Sequence, residues 1–294
     1  MNILKLFWGL LVCDLVYTWF AGTNAFFAVL FSKLLRKKST VVVGGYDAAY
    51  IPEINYGIFT NRWRRVLAKF VYAHVNLVLV VDESLKVDVL RNTKLKIADK
   101  IKVVPTGYDE NEWKPGVCGK ENLVITVGAV NWSNLKRKGF EIFVKVAKHI
   151  PDVKFVLIGK HLDNSINYLK SIATSNVEFA GFLSENGLLR FYQRAKVYCQ
   201  LSRYEGLPNA LCEAMLCECI PVGTKYCGIP SAIGDVGFYV PYGDVNATVK
   251  ALGEALNWGS GKGKAARERI KRYFSLKARE KKLIKEIISL FRMS

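Results

Sequence analysis

Two carboxylates eight positions apart, Glu205 and Glu213, flank the run Gly206-Leu207-Pro208-Asn209-Ala210-Leu211, which has the composition of a loop opening into a helix. Gly206 permits close backbone approach to a ligand, and Pro208 presets the first helical turn. The N–H groups around Asn209, Ala210 and Leu211 are then free to face a diphosphate. Glu213 falls about one turn into the helix, within reach of a ribose hydroxyl when phosphates occupy the helix end. Glu205 falls at the loop mouth. By itself the pair is weak evidence, because first-turn glutamates commonly complement the helix dipole. A second segment carries the complementary charge. Gly128 lets the backbone turn after an apolar run, and Lys136-Arg137-Lys138-Gly139 delivers three cations just before the next helix, where a phosphate meets both charge and dipole. Alone, such a cluster reads as solvated surface.

These loops need strands and helices to position them. Leu123–Val127, Lys154–Ile158, Val177–Phe179, Val197–Leu201 and Ile220–Gly223 read as short apolar strands. Between them, Phe140–His149, Ile166–Ala173, Leu188–Arg194 and Asn209–Cys217 read as helices, an alternation that predicts a parallel sheet wrapped by helices. In such sheets ligands bind beyond the C-terminal strand ends, where both candidate loops fall. The first part of the chain has the same rhythm: helix Arg62–Asn76, strand Leu77–Val81, helix Ser84–Arg91, strand Ile101–Val104. A polar, turn-rich stretch from Thr106 to Gly116 separates the halves. The expected domains are residues 1–108, residues 117–275, and a basic C-terminal helix over 276–294 that packs back toward the first domain.

From Leu15 to Ser32 no residue is charged, and Lys33, Arg36, Lys37 and Lys38 follow, a pattern resembling a membrane span with a basic flank. Gly22-Thr23-Asn24 breaks the run at its centre, so a strand over Leu15–Phe20, a helix over Ala25–Phe31 and a strand over Thr40–Val43 is the preferred reading. Residues 1–11 carry only Lys5 as a basic group, and no secretory leader is expected.

With 43 Lys+Arg against 25 Asp+Glu, the 294 residues carry a formal charge of +18. That excess suits nucleic acid, an anionic membrane surface or phosphate-bearing ligands without choosing among them. The 51% hydrophobic content excludes disorder. Seven cysteines without a C-x-x-C pair, and three distant histidines, point to free thiols and to no metal site.

The Glu205-to-Glu213 spacing resembles the E-x7-E pattern of glycosyltransferase family 4, retaining enzymes of the GT-B fold. Ala214-Met215, Ile220-Pro221-Val222, Gly228-Ile229-Pro230 and Gly237-Phe238-Tyr239-Val240-Pro241 with Asp244 extend the likeness. The resemblance implies an α/β protein of two Rossmann-like parallel-sheet domains facing a cleft. It implies transfer of a sugar from a nucleotide-diphosphate sugar to a glycan, lipid-linked or protein acceptor, with neither cofactor nor metal. It places Lys138 on the donor diphosphate, Glu205 near the donor sugar, Glu213 on the ribose, Gly206 to Leu211 along sugar and phosphates, and Phe182 in the loop that brackets the base. Where relatives carry Arg after the glycine matching Gly128 this chain has Ala129, so Arg137 or a neighbouring residue is expected to supply the cation. The first domain is expected to lack the family's usual first strand. Asp47, in Gly44-Gly45-Tyr46-Asp47 where relatives often place a His, is either an acceptor-side contact or base, or an exposed turn aspartate. Arg62, Trp63, Arg64, Arg65 and Lys69 suit anionic lipid headgroups, which implies a cytoplasmic protein peripheral on the inner membrane face; nucleic acid is not the expected partner. A non-catalytic sugar-nucleotide-binding subunit is the alternative, with a membrane-anchored nucleic-acid-binding protein behind it.

Overall fold

The computed structural model describes residues 3–292. The chain divides into two compact units. One holds the residues up to Thr106 together with those from Lys277 onward, and the other holds Gly107–Leu276.

The first unit opens with α1 (Ile3–Leu11), then β1 (Leu15–Trp19), α2 (Thr23–Leu34), β2 (Lys38–Val43), α3 (Arg62–His74), β3 (Leu77–Val80), α4 (Glu83–Thr93) and β4 (Ile101–Val103). Its sheet is parallel throughout in the order β1-β2-β3-β4. The uncharged N-terminal run is therefore a β-α-β unit, with Leu15 in register with Lys38. Gly22 serves as the N-cap of α2 and splits the run where the sequence places a turn. No helix among the described residues is long and apolar enough to cross a membrane. β2 and β3 bury Val41, Val42, Val43, Val78, Leu79 and Val80 completely, the continuous apolar habit of strands covered on both faces. Asn61 and Asp82 start α3 and α4 by accepting the N–H of Arg64 and Ser84.

The second unit runs β5 (Glu121–Val127), α5 (Trp132–Arg137), α6 (Phe140–Ala147), β6 (Lys154–Ile158), α7 (Ser165–Ile172), β7 (Val177–Gly181), α8 (Glu185–Arg194), β8 (Ala195–Gln200), α9 (Asn209–Leu216), β9 (Ile220–Thr224), α10 (Ile229–Ile233), β10 (Phe238–Val240), α11 (Val245–Asn257) and α12 (Gly261–Tyr273). Six parallel strands lie in the order β10-β9-β8-β5-β6-β7. Phe143, Phe155, Leu157, Val197 and Leu252 lie in one core cluster, each fully buried Leu or Phe contributing about 1.5–3 kcal/mol.

The basic tail is two helices, because Phe274 and Ser275 interrupt it before α13 (Leu276–Arg292). Several of its arginines are anchors. Arg267 donates to the carbonyls of Glu110, Trp113 and Leu216, and Arg269 to those of Ser231 and Ala232. Within the first unit, Arg279 of α13 donates to Val104 and Pro105 carbonyls and lies over the Trp19 ring. The apolar stripe of α13 is only half covered, with Leu283, Ile287 and Leu290 part-buried and Phe291 exposed. No disulfide forms among the described residues.

Candidate functional site

In the second sheet β5 lies between β6 and β8, so the crossovers leaving β5 and β8 go to opposite sides of the sheet. A crevice opens at such a reversal, beyond the C-terminal strand ends. The loops after β5 and β8 carry Gly128 and Glu205, and they meet there. Arg203 donates its backbone N–H to the Arg137 carbonyl at 2.7 Å.

Glu205 is the hub of the contacts between these two loops. Its Oε1 accepts from Lys138 Nζ at 2.9 Å, Arg137 Nη1 at 3.1 Å and Ser202 Oγ at 3.2 Å, with Gln200 Nε2 at 3.5 Å. Burial pushes the Glu205 carboxyl up, but the charges of Lys138 and Arg137 and the hydrogen bonds outweigh it and hold it below the usual carboxylate range. Glu205 thus lies within an ion triad, its side chain 15% exposed, and not at an open loop mouth.

The two cations differ in what they have left to give. Arg137 is buried; its Nε and Nη2 grip Asn134 Oδ1, while Nη1 reaches the Tyr204 carbonyl and Glu205. Most of the Arg137 fork is therefore engaged by protein acceptors. Lys136 and Arg137 also belong to α5, a helix that the sequence pattern does not announce. Among the described residues Lys138 has Glu205 as its one side-chain partner, leaving donors of its ammonium for an anion.

Two glycines make room for this arrangement. A Cβ at Gly128 would stand 2.7 Å from Lys138 Cδ and 2.8 Å from Cε, so that glycine clears the lysine stem at the bend that follows β5. Gly139 is left-handed at φ 70°, pressed against the Leu201 carbonyl.

Of the following loop, Gly206, Leu207, Pro208 and Leu211 are buried, Ala210 half-buried and Asn209 exposed. Pro208 is the N-cap of α9 and not its first residue, and no side chain caps the helix. Gly228 packs against the Gly206 carbonyl, and its N–H donates to the Glu205 carbonyl at 3.3 Å. Tyr108 donates its hydroxyl to Asn209 Oδ1 at 2.9 Å, a contact no spacing signal announced.

Glu213 stands apart from the triad. Tyr192, buried and edge-on to Trp113 and Tyr198, donates its hydroxyl to Glu213 Oε2 at 3.2 Å. Burial pushes the Glu213 carboxyl up to about 7 against that hydrogen bond, with Glu112 and Glu185 adding to the rise. Phe182 follows left-handed Gly181 and is 76% exposed, presenting an open ring. Among the described residues no group of His, Cys, Asp and Glu side chains is arranged to hold a metal ion.

Asp47 belongs to the first unit and is not an exposed turn residue, one of the two expectations for it. It is fully buried; Oδ2 accepts from Ala21 N and Oδ1 from Gly44 N and Gly45 N, each at 3.1 Å. Burial raises its carboxyl to about 6 despite those donors. Three backbone donors on one carboxylate make it a brace between the loops after β1 and β2.

The fold defines a Rossmann-like α/β protein with the two parallel-sheet domains of GT-B glycosyltransferases. Residues 121–257 match the family described as glycosyl transferases group 1. The chain is 26% identical over 203 residues to an alpha-maltose-1-phosphate synthase of Mycolicibacterium smegmatis, covering 61% of this chain and 52% of that protein. It is 22% identical over 246 residues to a phosphatidylinositol N-acetylglucosaminyltransferase subunit of Arabidopsis thaliana, covering 80% and 54%. The chain thus spans about half the length of these curated relatives. Anabaena HepE, solved with UDP and glucose, superposes with a TM-score of 0.83 at 17% identity, over 98% of this chain and 81% of that one.

Proposed function

We propose that this protein transfers a sugar from a nucleotide-diphosphate sugar to an acceptor, with retention at the anomeric carbon and without a metal ion. The observation that carries the reading is the ion triad at the strand-order reversal, where Lys138 keeps donors for an anion beside the uncapped start of α9. Breaking the sugar–phosphate bond leaves charge on the diphosphate, and preorganised cations and helix N–H groups stabilise that charge most where water is excluded. Lys138 and the backbone of Asn209, Ala210 and Leu211 take the diphosphate in this reading, Glu213 the ribose and Phe182 the base. Glu205 is held by two cations and a hydroxyl, which suits a counter-ion and sugar-positioning role and not a nucleophile. Retention then proceeds by front-face attack, the leaving phosphate oxygen accepting the acceptor's proton.

HepE was solved with UDP-glucose, and this makes uridine the first base to try. The acceptor is a glycan or lipid-linked molecule. Exposed Trp63 at the basic start of α3 supports contact with an anionic membrane surface on the cytoplasmic side. The reading is tested by incubating the protein with UDP-, GDP- and ADP-sugars and following nucleoside-diphosphate release. Release from one nucleotide class, lost in Lys138→Ala, is the expected result; release equal in that variant would overturn the assignment.

A further inference from the structure

The first unit contains a cavity of about 450 Å³ lined by Phe20, Gly22, Thr23, Tyr46, Asp47, Ile58, Arg64 and Leu67. It lies at the C-terminal ends of β1 and β2, and its volume falls in the range of small-molecule sites, about 300–1,000 Å³. Apart from Thr23, the Tyr46 hydroxyl, Asp47 and the cation Arg64, the walls are apolar. Arg64 donates to the Tyr46 hydroxyl at 3.0 Å, and among the described residues no carboxylate pairs with it. Asp47 also lines the cavity, but its oxygens are turned to the N–H groups of Ala21, Gly44 and Gly45.

The wall is held in a strained form. Phe20 adopts φ 63°, a conformation a bulky side chain rarely takes and one that persists only where its surroundings impose it. They do so here. Phe20 N–H donates to the Val42 carbonyl at 2.8 Å, and its carbonyl accepts from Gly22 N at 2.8 Å. Its ring fills the space above Gly44, where a Cβ would stand 2.5 Å from Phe20 Cε1. Asp47 ties the loops from both sides. Strain kept at the wall of a cavity points to a function there, and a largely apolar chamber whose guanidinium has no carboxylate partner among the described residues suits an amphiphile with an anionic head.

We propose that this cavity binds a phosphate ester carrying an apolar chain, with Phe20, Ile58 and Leu67 around the chain and Arg64 on the phosphate. That this ligand is the sugar acceptor rests on the glycosyl-transfer reading; the binding itself does not.

The test is calorimetric titration of the full chain with decyl phosphate below its micelle concentration, alongside decanol and inorganic phosphate. Decyl phosphate is expected to bind at a single site, and decanol and inorganic phosphate each about tenfold or more weaker. Arg64→Ala, a change at an exposed head group that leaves the fold intact, is expected to weaken decyl phosphate about tenfold, with partial recovery in Arg64→Lys. Leu67→Trp, which fills the chamber, is expected to abolish binding. Retention on neutral vesicles doped with decyl phosphate, lost in Arg64→Ala, assigns the ligand to a membrane; saturable binding without such retention assigns it to a soluble ester. Absence of saturable binding, inorganic phosphate binding as tightly as decyl phosphate, or indifference to Arg64→Ala overturns the proposal. UDP titrated into the same protein reads the donor site separately: failure of UDP with decyl phosphate binding intact removes the acceptor role and leaves the cavity a binding site.

Discussion

Lys138 Nζ lies 2.9 Å from Glu205 Oε1, and the same oxygen accepts from Arg137 at 3.1 Å, so one carboxylate is shared by two cations and the triad at the strand-order reversal of the second sheet keeps a net positive charge. The pairings are unequal. Arg137 is locked into the protein, whereas Lys138 can turn toward an incoming phosphate while Arg137 keeps Glu205 satisfied.

Removing the hub should cost more than removing the mobile cation. Glu205→Ala leaves a buried guanidinium without its carboxylate and is expected to lower stability by about 2–4 kcal/mol. Lys138→Ala leaves Glu205 with three donors, and a loss of about 1 kcal/mol or less is expected. Urea unfolding of both variants checks the order; equal losses would contradict it.

With Glu213 on the ribose, as proposed, nucleotide binding is expected to depend on pH. Its folded value of about 7 lies above the ordinary glutamate value of 4.5, so the folded state holds the extra proton between those limits. Stability from this group is therefore greatest below about pH 4.5 and declines as pH rises to 7. Binding through the carboxylate runs the other way, strengthening from pH 6 to 8 as the proton leaves. Titrations of UDP at those two pH values should show a several-fold gain in the native protein and a flat response in Glu213→Gln.

Gly128→Ala is expected to weaken nucleotide binding without unfolding the chain. The added methyl meets the flexible end of the Lys138 stem, which swings away at low cost, although Phe140 Cζ at 3.1 Å leaves little slack. Unchanged thermal unfolding with reduced affinity supports this; unchanged affinity would remove the packing argument.

Asp47→Ala orphans three backbone donors in the first unit. A loss of about 3–6 kcal/mol is expected from desolvated N–H groups left without acceptors. Asp47→Asn should fall between, because its amide oxygen replaces one acceptor while its NH2 group opposes an N–H. Chemical denaturation of the three proteins gives the ranking.

The alternation of short apolar strands with helices was legible because strands such as β3 and β6 are buried along nearly their whole length and are written as continuous apolar runs, and Gly22 disclosed the β-α-β unit inside a membrane-like segment. The placement of the candidate residues was legible wherever spacing encodes it, as in Glu205 before and Glu213 within α9. What escaped were contacts made by folding distant segments together: the capture of Arg137 by Glu205, the Tyr192 hydroxyl on Glu213, and the Ala21 N–H on Asp47. Linear order carries no trace of such pairings. The arginines scattered through the lysine-rich tail were the nearest signal, since Arg267, Arg269 and Arg279 each use a planar fork on backbone carbonyls.

The central claim is that the second unit binds a nucleoside diphosphate through Lys138 and Glu213, and calorimetric titration of UDP, GDP and ADP into the native protein and the two alanine variants tests it most directly. The account predicts saturable binding of one nucleotide, weakened about tenfold or more by either substitution. Binding of none of the three, or binding equally tight in both variants, would contradict it.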